Sequence, residues 1–124
     1  MGYQEVNNDY LRTQVMSASP VKIIVMLYEG AIKNMKIAKL AIEEKDIVRA
    51  HQNLRRAQDI IKELKSSVDL NVEGDVPEHL VRLYEYSNNQ LVTANLTKST
   101  EPIDNVIHIL SELLDSWKKL AENN

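Results

Sequence analysis

The run Val21–Tyr28 most constrains how this chain folds, because Lys22 is its only polar side chain. Ser19 and Pro20 precede it and predict a helix start, since a serine hydroxyl caps free amides and proline suits the first helical position. From there one apolar face recurs at steps of three and four, as in a core-facing helix: Ile24, Tyr28, Ala31, Met35, Ala38 and Ile42. Four further apolar residues lie off that face: Ile23, Val25, Met26 and Leu27. The first two turns therefore need cover on nearly every side, either from neighbouring helices or from a partner. Gly30 within this helix predicts the close approach of another backbone.

Three more helices follow from caps, prolines and periodicity. Asp46 is a good cap for the second helix, and Pro77 and Pro102 are placed to open the third and fourth. The stretch with Gly74 and Asp75 is a turn-rich break. We expect helices at about 20–44, 46–69, 77–96 and 102–122, forming an all-α antiparallel four-helix bundle. Residues 1–18 show no sustained apolar face and are interpreted as a short N-terminal arm or helix that caps a groove, with scattered apolar anchors that include Leu11, Val15 and Met16.

Composition excludes several function classes. The formal charge of −3 and pI near 5.6 argue against a nucleic-acid partner. No apolar run approaches the 18 residues that suggest a membrane span, residues 1–18 lack the apolar core of a signal peptide, and cysteine is absent. We therefore expect a cytoplasmic protein without membrane insertion.

No catalytic motif is present. His51, His79 and His108 fall on three different predicted helices, and none has the glutamate three residues earlier that di-metal bundle sites use. A metal-dependent bundle enzyme lacks its ligands, so no catalytic residue, metal or cofactor is expected.

The sequence has more apolar residues than one bundle core needs. They lie on the early turns of the first helix, on a doubled face of the fourth and along the arm. Two interpretations remain open. These surfaces pack on one another with the arm over a groove, or they form a partner site in which a helix lies. In the second case, tyrosine rings are expected at the rim with their hydroxyls in water, at Tyr28, Tyr84 and Tyr86.

Six short motifs, in register over essentially the whole chain, resemble the flagellin-specific export chaperones of bacteria: Val15–Pro20, Met26–Ala31, Ala57–Ile61, Leu83–Tyr86, Leu91–Asn95 and Asp115–Lys118. That family forms an antiparallel four-helix bundle in the cytoplasm. Its members bind the C-terminal segment of flagellin, prevent premature polymerisation and deliver the subunit to the flagellar type III export gate. The resemblance implies the same partners here, flagellin and an export gate protein.

The leading hypothesis assigns the partner surface to apolar residues of the bundle, together with Asn95 from one of the matching motifs: Ile24, Leu27, Tyr28, Ile60, Leu96, Val106, Ile109 and Leu113. The arm would act as a displaceable lid, and by position Tyr10 matches the tyrosine that contacts the gate in the family. Ser87, Asn89 and Gln90 depart from a methionine and two arginines common in relatives. The alternative hypothesis is a self-associating structural bundle without chaperone activity.

Overall fold

The computed structural model describes residues 20–123, so residues 1–19 and Asn124 lie outside the described part of the chain. Four helices make up this part: α1 (Pro20–Glu43), α2 (Ile47–Ser66), α3 (Val76–Thr97) and α4 (Glu101–Glu122). Residues 20–123 contain no strand. The predicted all-α four-helix class is confirmed.

The starts of α2, α3 and α4 use the signals read from the sequence, while the predicted Ser19 cap of α1 lies outside the described residues. The Asp46 carboxylate accepts a hydrogen bond from the Arg49 amide at 3.1 Å and caps α2. Prolines occupy the first turns of α3 and α4, where a missing amide hydrogen costs nothing. One end differs from the prediction, since α2 stops at Ser66 rather than 69. The Ser67 hydroxyl donates to the Leu64 carbonyl at 2.7 Å and so competes with helical continuation.

Tight turns join α1 to α2 and α3 to α4, and each contains a lysine in the left-handed region, Lys45 at φ 62° and Lys98 at φ 51°. The link between α2 and α3 is longer, residues 67–75, and includes Gly74 at φ 101°. Each helix packs on its neighbours in sequence, and α4 also packs on α1. The result is a closed up-and-down ring around one core.

The core combines small residues that let helices approach with large residues that fill the centre. Buried alanines lie along α1 and α2, and each large apolar side chain contributes about 1.5–3 kcal/mol when it is buried. The apolar face of α3 is broken by Ser87, which is fully buried. The Ser87 hydroxyl has no hydrogen-bond partner among the described residues, and neither does the Asn88 side-chain oxygen. The apolar face of α3 is therefore interrupted by two polar side chains whose buried oxygens have no described partner.

Candidate functional site

A groove of about 580 Å³ runs along the outer surface between α1 and α2. We call it the side groove. Its apolar surface comes from α1, and polar side chains of both helices edge it. The apolar lining is Ile23, Met26, Leu27, Gly30 and Ile37, and the polar edge is Glu29, Lys33, Asn34, Asn53 and Arg56.

The side groove exists because α1 carries a second apolar face. Steps of three, four and seven from Ile23 lead to Met26, Leu27 and Gly30, while the first face points into the core. The helix α2 covers this second face only in part, so Ile23, Met26 and Leu27 stay partly exposed. The sequence left open whether neighbouring helices or a partner cover the first two turns of α1. In the described structure the neighbouring helices cover them only in part.

Gly30 lies in the side groove rather than under another backbone. A Cβ added at Gly30 would lie 3.4 Å from Ile60 Cδ1, an ordinary contact with a side chain of α2. The Gly30 carbonyl accepts a hydrogen bond from Asn34 Nδ2 at 2.8 Å. Among residues 20–123, the close approach of another backbone that the sequence predicted at Gly30 is absent, and the missing side chain deepens the groove instead.

A second opening, of about 410 Å³, lies at the end of the bundle where α1 and α3 begin and α2 and α4 end. We call it the end cleft. Its walls are mostly apolar and come from all four helices and the 67–75 connection: Ile24, Leu64, Ser67, Val68, Asp69, Val72, Glu73, Val76, Pro77, Leu80, Tyr84 and Trp117.

Beneath the end cleft, Tyr28 and Tyr84 meet inside the core. Their hydroxyl oxygens are 2.6 Å apart and share a hydrogen bond. Their rings contact edge to face at 6.3 Å between centroids, and Trp117 lies 6.4 Å from the Tyr28 ring. Burial raises the pKa of both tyrosines, and the shared hydrogen bond raises the pKa of Tyr84 further while partly offsetting the rise at Tyr28. Both hydroxyls are therefore neutral core groups.

Three predicted partner residues are consequently corrected to core positions. Tyr28 and Tyr84 do not rim a groove with wet hydroxyls, because the hydroxyls satisfy each other internally. Only Tyr86, 46% exposed, keeps an open position. Val106 is 0% exposed, because it lies on the inward face of α4 together with Ile103 and Leu110.

The remaining predicted residues do not form one site. Leu27 lines the side groove, Ile24 lines the end cleft and Ile60 packs between α1 and α2. Leu96, 81% exposed, and Asn95 line a shallow cleft between α2 and α3, where Asn95 Nδ2 donates to His51 Nδ1 at 2.8 Å. Two residues of α4 pack partly buried against the core, Ile109 and Leu113. Four predicted residues lie outside the described part of the chain: Tyr10, Leu11, Val15 and Met16.

Several residues that line the two openings were not among the partner-binding residues predicted from the sequence. Ile23, Met26 and Ile37 belong to the side groove, and the spacing from Leu27 and Gly30 was the signal that could have found them. Val72 and Val76 belong to the end cleft, but they lie on or beside a connection without periodicity, so no sequence pattern indicated them.

Among residues 20–123, no cluster of three or more His, Cys, Asp or Glu side chains could hold a metal ion. None of the helices α1 to α4 has the length and apolar character needed to cross a membrane. The described arrangement offers apolar surfaces for binding.

Comparison with known proteins gives one consistent result. The family model described as flagellar protein FliS matches residues 2–124. The flagellar secretion chaperone FliS of Bacillus subtilis is 31% identical over 123 residues, covering 99% of this chain and 91% of the relative. That of Salmonella typhimurium is 34% identical over 112 residues, covering 90% and 83%. A crystal structure of a bacterial flagellar chaperone, 21% identical and covering 99% of this chain and 100% of its own, has the same fold with a TM-score of 0.79.

Proposed function

Because this chain belongs to the flagellar protein FliS family, we propose that it binds the disordered C-terminal segment of flagellin in the cytoplasm, prevents its premature polymerisation and delivers it to the flagellar type III export gate. The family is one of flagellar secretion chaperones and not of enzymes, and this chain is accordingly a flagellar export chaperone. Flagellin, the export gate and the cytoplasmic location are the proposed refinements.

The side groove is the observation that carries this proposal. Its apolar lining extends from Ile23 to Ile37, which at 1.5 Å per residue is about 21 Å, or roughly four turns of a partner helix. An amphipathic helix fits such a groove through anchors three and four residues apart. A disordered segment that orders on binding loses conformational entropy, so it needs extended apolar contact to offset that loss.

The proposed mechanism is burial without chemistry. Flagellin's end segment would be covered while bound, and its apolar side chains would be unavailable to other flagellin subunits. We further propose that the arm of residues 1–18 acts as a displaceable lid through Leu11, Val15 and Met16, and that Tyr10 contacts the export gate.

Calorimetric titration with a peptide of about forty residues from the C-terminal end of the cognate flagellin tests this function. We expect tight binding with a large negative heat-capacity change, because apolar area is buried, and tighter binding to protein that lacks residues 1–18. No binding to either form would overturn the flagellin assignment. A dimer seen by light scattering would then favour the self-associating bundle.

Two variants locate the binding surface. Met26→Asp places a charge in the side groove, where a partner would have to desolvate it, and we expect at least a tenfold loss of peptide affinity. Val48→Asp is the matched control, since Val48 is more than half exposed on α2 and lies outside the groove. Unchanged affinity in Met26→Asp would remove the side groove from the mechanism.

A further inference from the structure

The end cleft differs from the side groove in shape and position. All four helices meet there, and its lining includes the buried Tyr84 and the partly buried Trp117. The side groove lies on the outer surface of α1 and α2, and no residue lines both openings. The end cleft and the side groove therefore share no lining residue and lie on different parts of the bundle.

Apolar side chains continue from the end cleft onto its outer edge. Leu70, Val72 and Val76 are each more than half exposed, and all three lie in or next to the 67–75 connection. Exposed aliphatic side chains that adjoin an apolar cleft are typical of protein interaction sites.

The same edge is strongly acidic. Between residues 66 and 81 the sequence has four carboxylates and no lysine or arginine: Asp69, Glu73, Asp75 and Glu78. Of these, only Glu78 has a basic partner among the described residues, Arg82 at 3.6 Å on the solvent side of α3. Two nearby lysines line a different depression, between α1 and α4: Lys22 and Lys118.

We propose that the end cleft is a second docking site, for a short amphipathic protein segment that carries lysine or arginine beside its apolar anchors. Aliphatic anchors would fill the cleft above Tyr84 and Trp117, and the basic residues would lie along Asp69, Glu73 and Asp75. The acidic edge selects against nucleic acids and anionic membranes, whose phosphates it repels. A helix docked at the end of the bundle leaves the side groove open, so two partners can bind together.

Trp117 is the single tryptophan of the sequence and lines the end cleft, so its emission reports occupancy directly. The probe is a capped helical peptide of about sixteen residues, roughly four turns, with leucines on one face and lysines beside them. The control peptide has glutamates in place of the lysines. Titrated into the full chain, the lysine peptide should shift Trp117 emission and bind about tenfold more tightly than the glutamate peptide, with the difference lost in about 0.5 M salt.

Charge-neutral variants test the acidic edge without touching the core. The triple substitution Asp69→Asn, Glu73→Gln and Asp75→Asn should reduce affinity for the lysine peptide about tenfold, to that of the glutamate peptide. Glu43→Gln with Glu44→Gln is the matched control, because both carboxylates are exposed at the opposite end of the bundle. It should leave affinity unchanged.

Several results would overturn the proposal. They are the absence of a Trp117 shift at millimolar peptide, equal affinity for the two peptides, or equal damage from the control variant. Self-association that the triple substitution abolishes would assign the cleft to a second copy of this chain. Binding that appears only after Val15→Asp and Met16→Asp would assign it to residues 1–19 of the chain itself.

Discussion

Replacing Tyr84 with phenylalanine removes one of two hydroxyls that meet inside the core, and the Tyr28 hydroxyl loses its 2.6 Å hydrogen bond. Tyr28 is fully buried, so its hydroxyl has no access to water that could replace the lost bond. An unsatisfied buried hydroxyl costs about 1–3 kcal/mol, and we expect that loss in the free energy of unfolding. Tyr28→Phe should cost a similar amount for the same reason.

The double variant separates this explanation from simple loss of packing. With both hydroxyls gone neither tyrosine position carries an unpaired hydroxyl, and the two rings keep their 6.3 Å edge-to-face contact. We therefore expect the double variant to be more stable than either single variant, so that the coupling energy exceeds the cost of each single substitution. Urea unfolding followed by circular dichroism at neutral pH measures all four proteins, and equal m values show that the folded states are comparable.

Tyr86→Phe is the control for this cycle, since Tyr86 is open to solvent and should change stability by less than about 0.5 kcal/mol. If the two core substitutions add within about 0.5 kcal/mol, the hydroxyls do not interact energetically. The mutual satisfaction of Tyr28 and Tyr84 would then be refuted.

Two further predictions concern buried polar groups of α3 and its neighbour. Ser87→Ala should raise the free energy of unfolding by about 1 kcal/mol, because it removes a fully buried hydroxyl without a described partner and favours the helix; a lower thermal midpoint would contradict this. Alkaline pH should destabilise the protein through Tyr28 and Tyr84. An unfolded tyrosine ionises near pH 10, whereas the raised pKa of both native tyrosines keeps them protonated at that pH. Their contribution to the free energy of unfolding is therefore intact below about pH 10 and lost progressively above it. Unfolding measured at pH 9 and 11 should show a larger loss for wild-type than for the double phenylalanine variant, and an equal loss would count against the pKa shifts.

Helix starts were predictable because each depends on a few adjacent residues. Asp46, Pro77 and Pro102 act through local backbone geometry, which a single sequence shows directly. The end of α2 was less accessible, since Ser67 is as compatible with a helix as with the turn whose hydrogen bond it makes to Leu64.

The division between core and surface was only partly predictable. Periodicity shows that α4 has a wide apolar face, but which part of that face points inward depends on where α1 and α3 lie, so Val106 was misplaced. The Tyr28–Tyr84 pair joins residues 56 positions apart, and nothing local to either residue indicates the other. The side groove could be predicted in part, from the extra apolar residues on α1. The end cleft could not, because it is lined partly by the irregular 67–75 connection.

The up-and-down order of the helices also determines when the binding surfaces exist. Three of the packed helix pairs are neighbours along the chain and the fourth joins α1 to α4, and helical bundles of this kind fold in microseconds to milliseconds. Ribosomal synthesis proceeds at about 5–20 residues per second, which is far slower. Both openings are therefore complete as soon as the last helix is free to pack, so a segment that orders on binding would meet helical surfaces that are already formed.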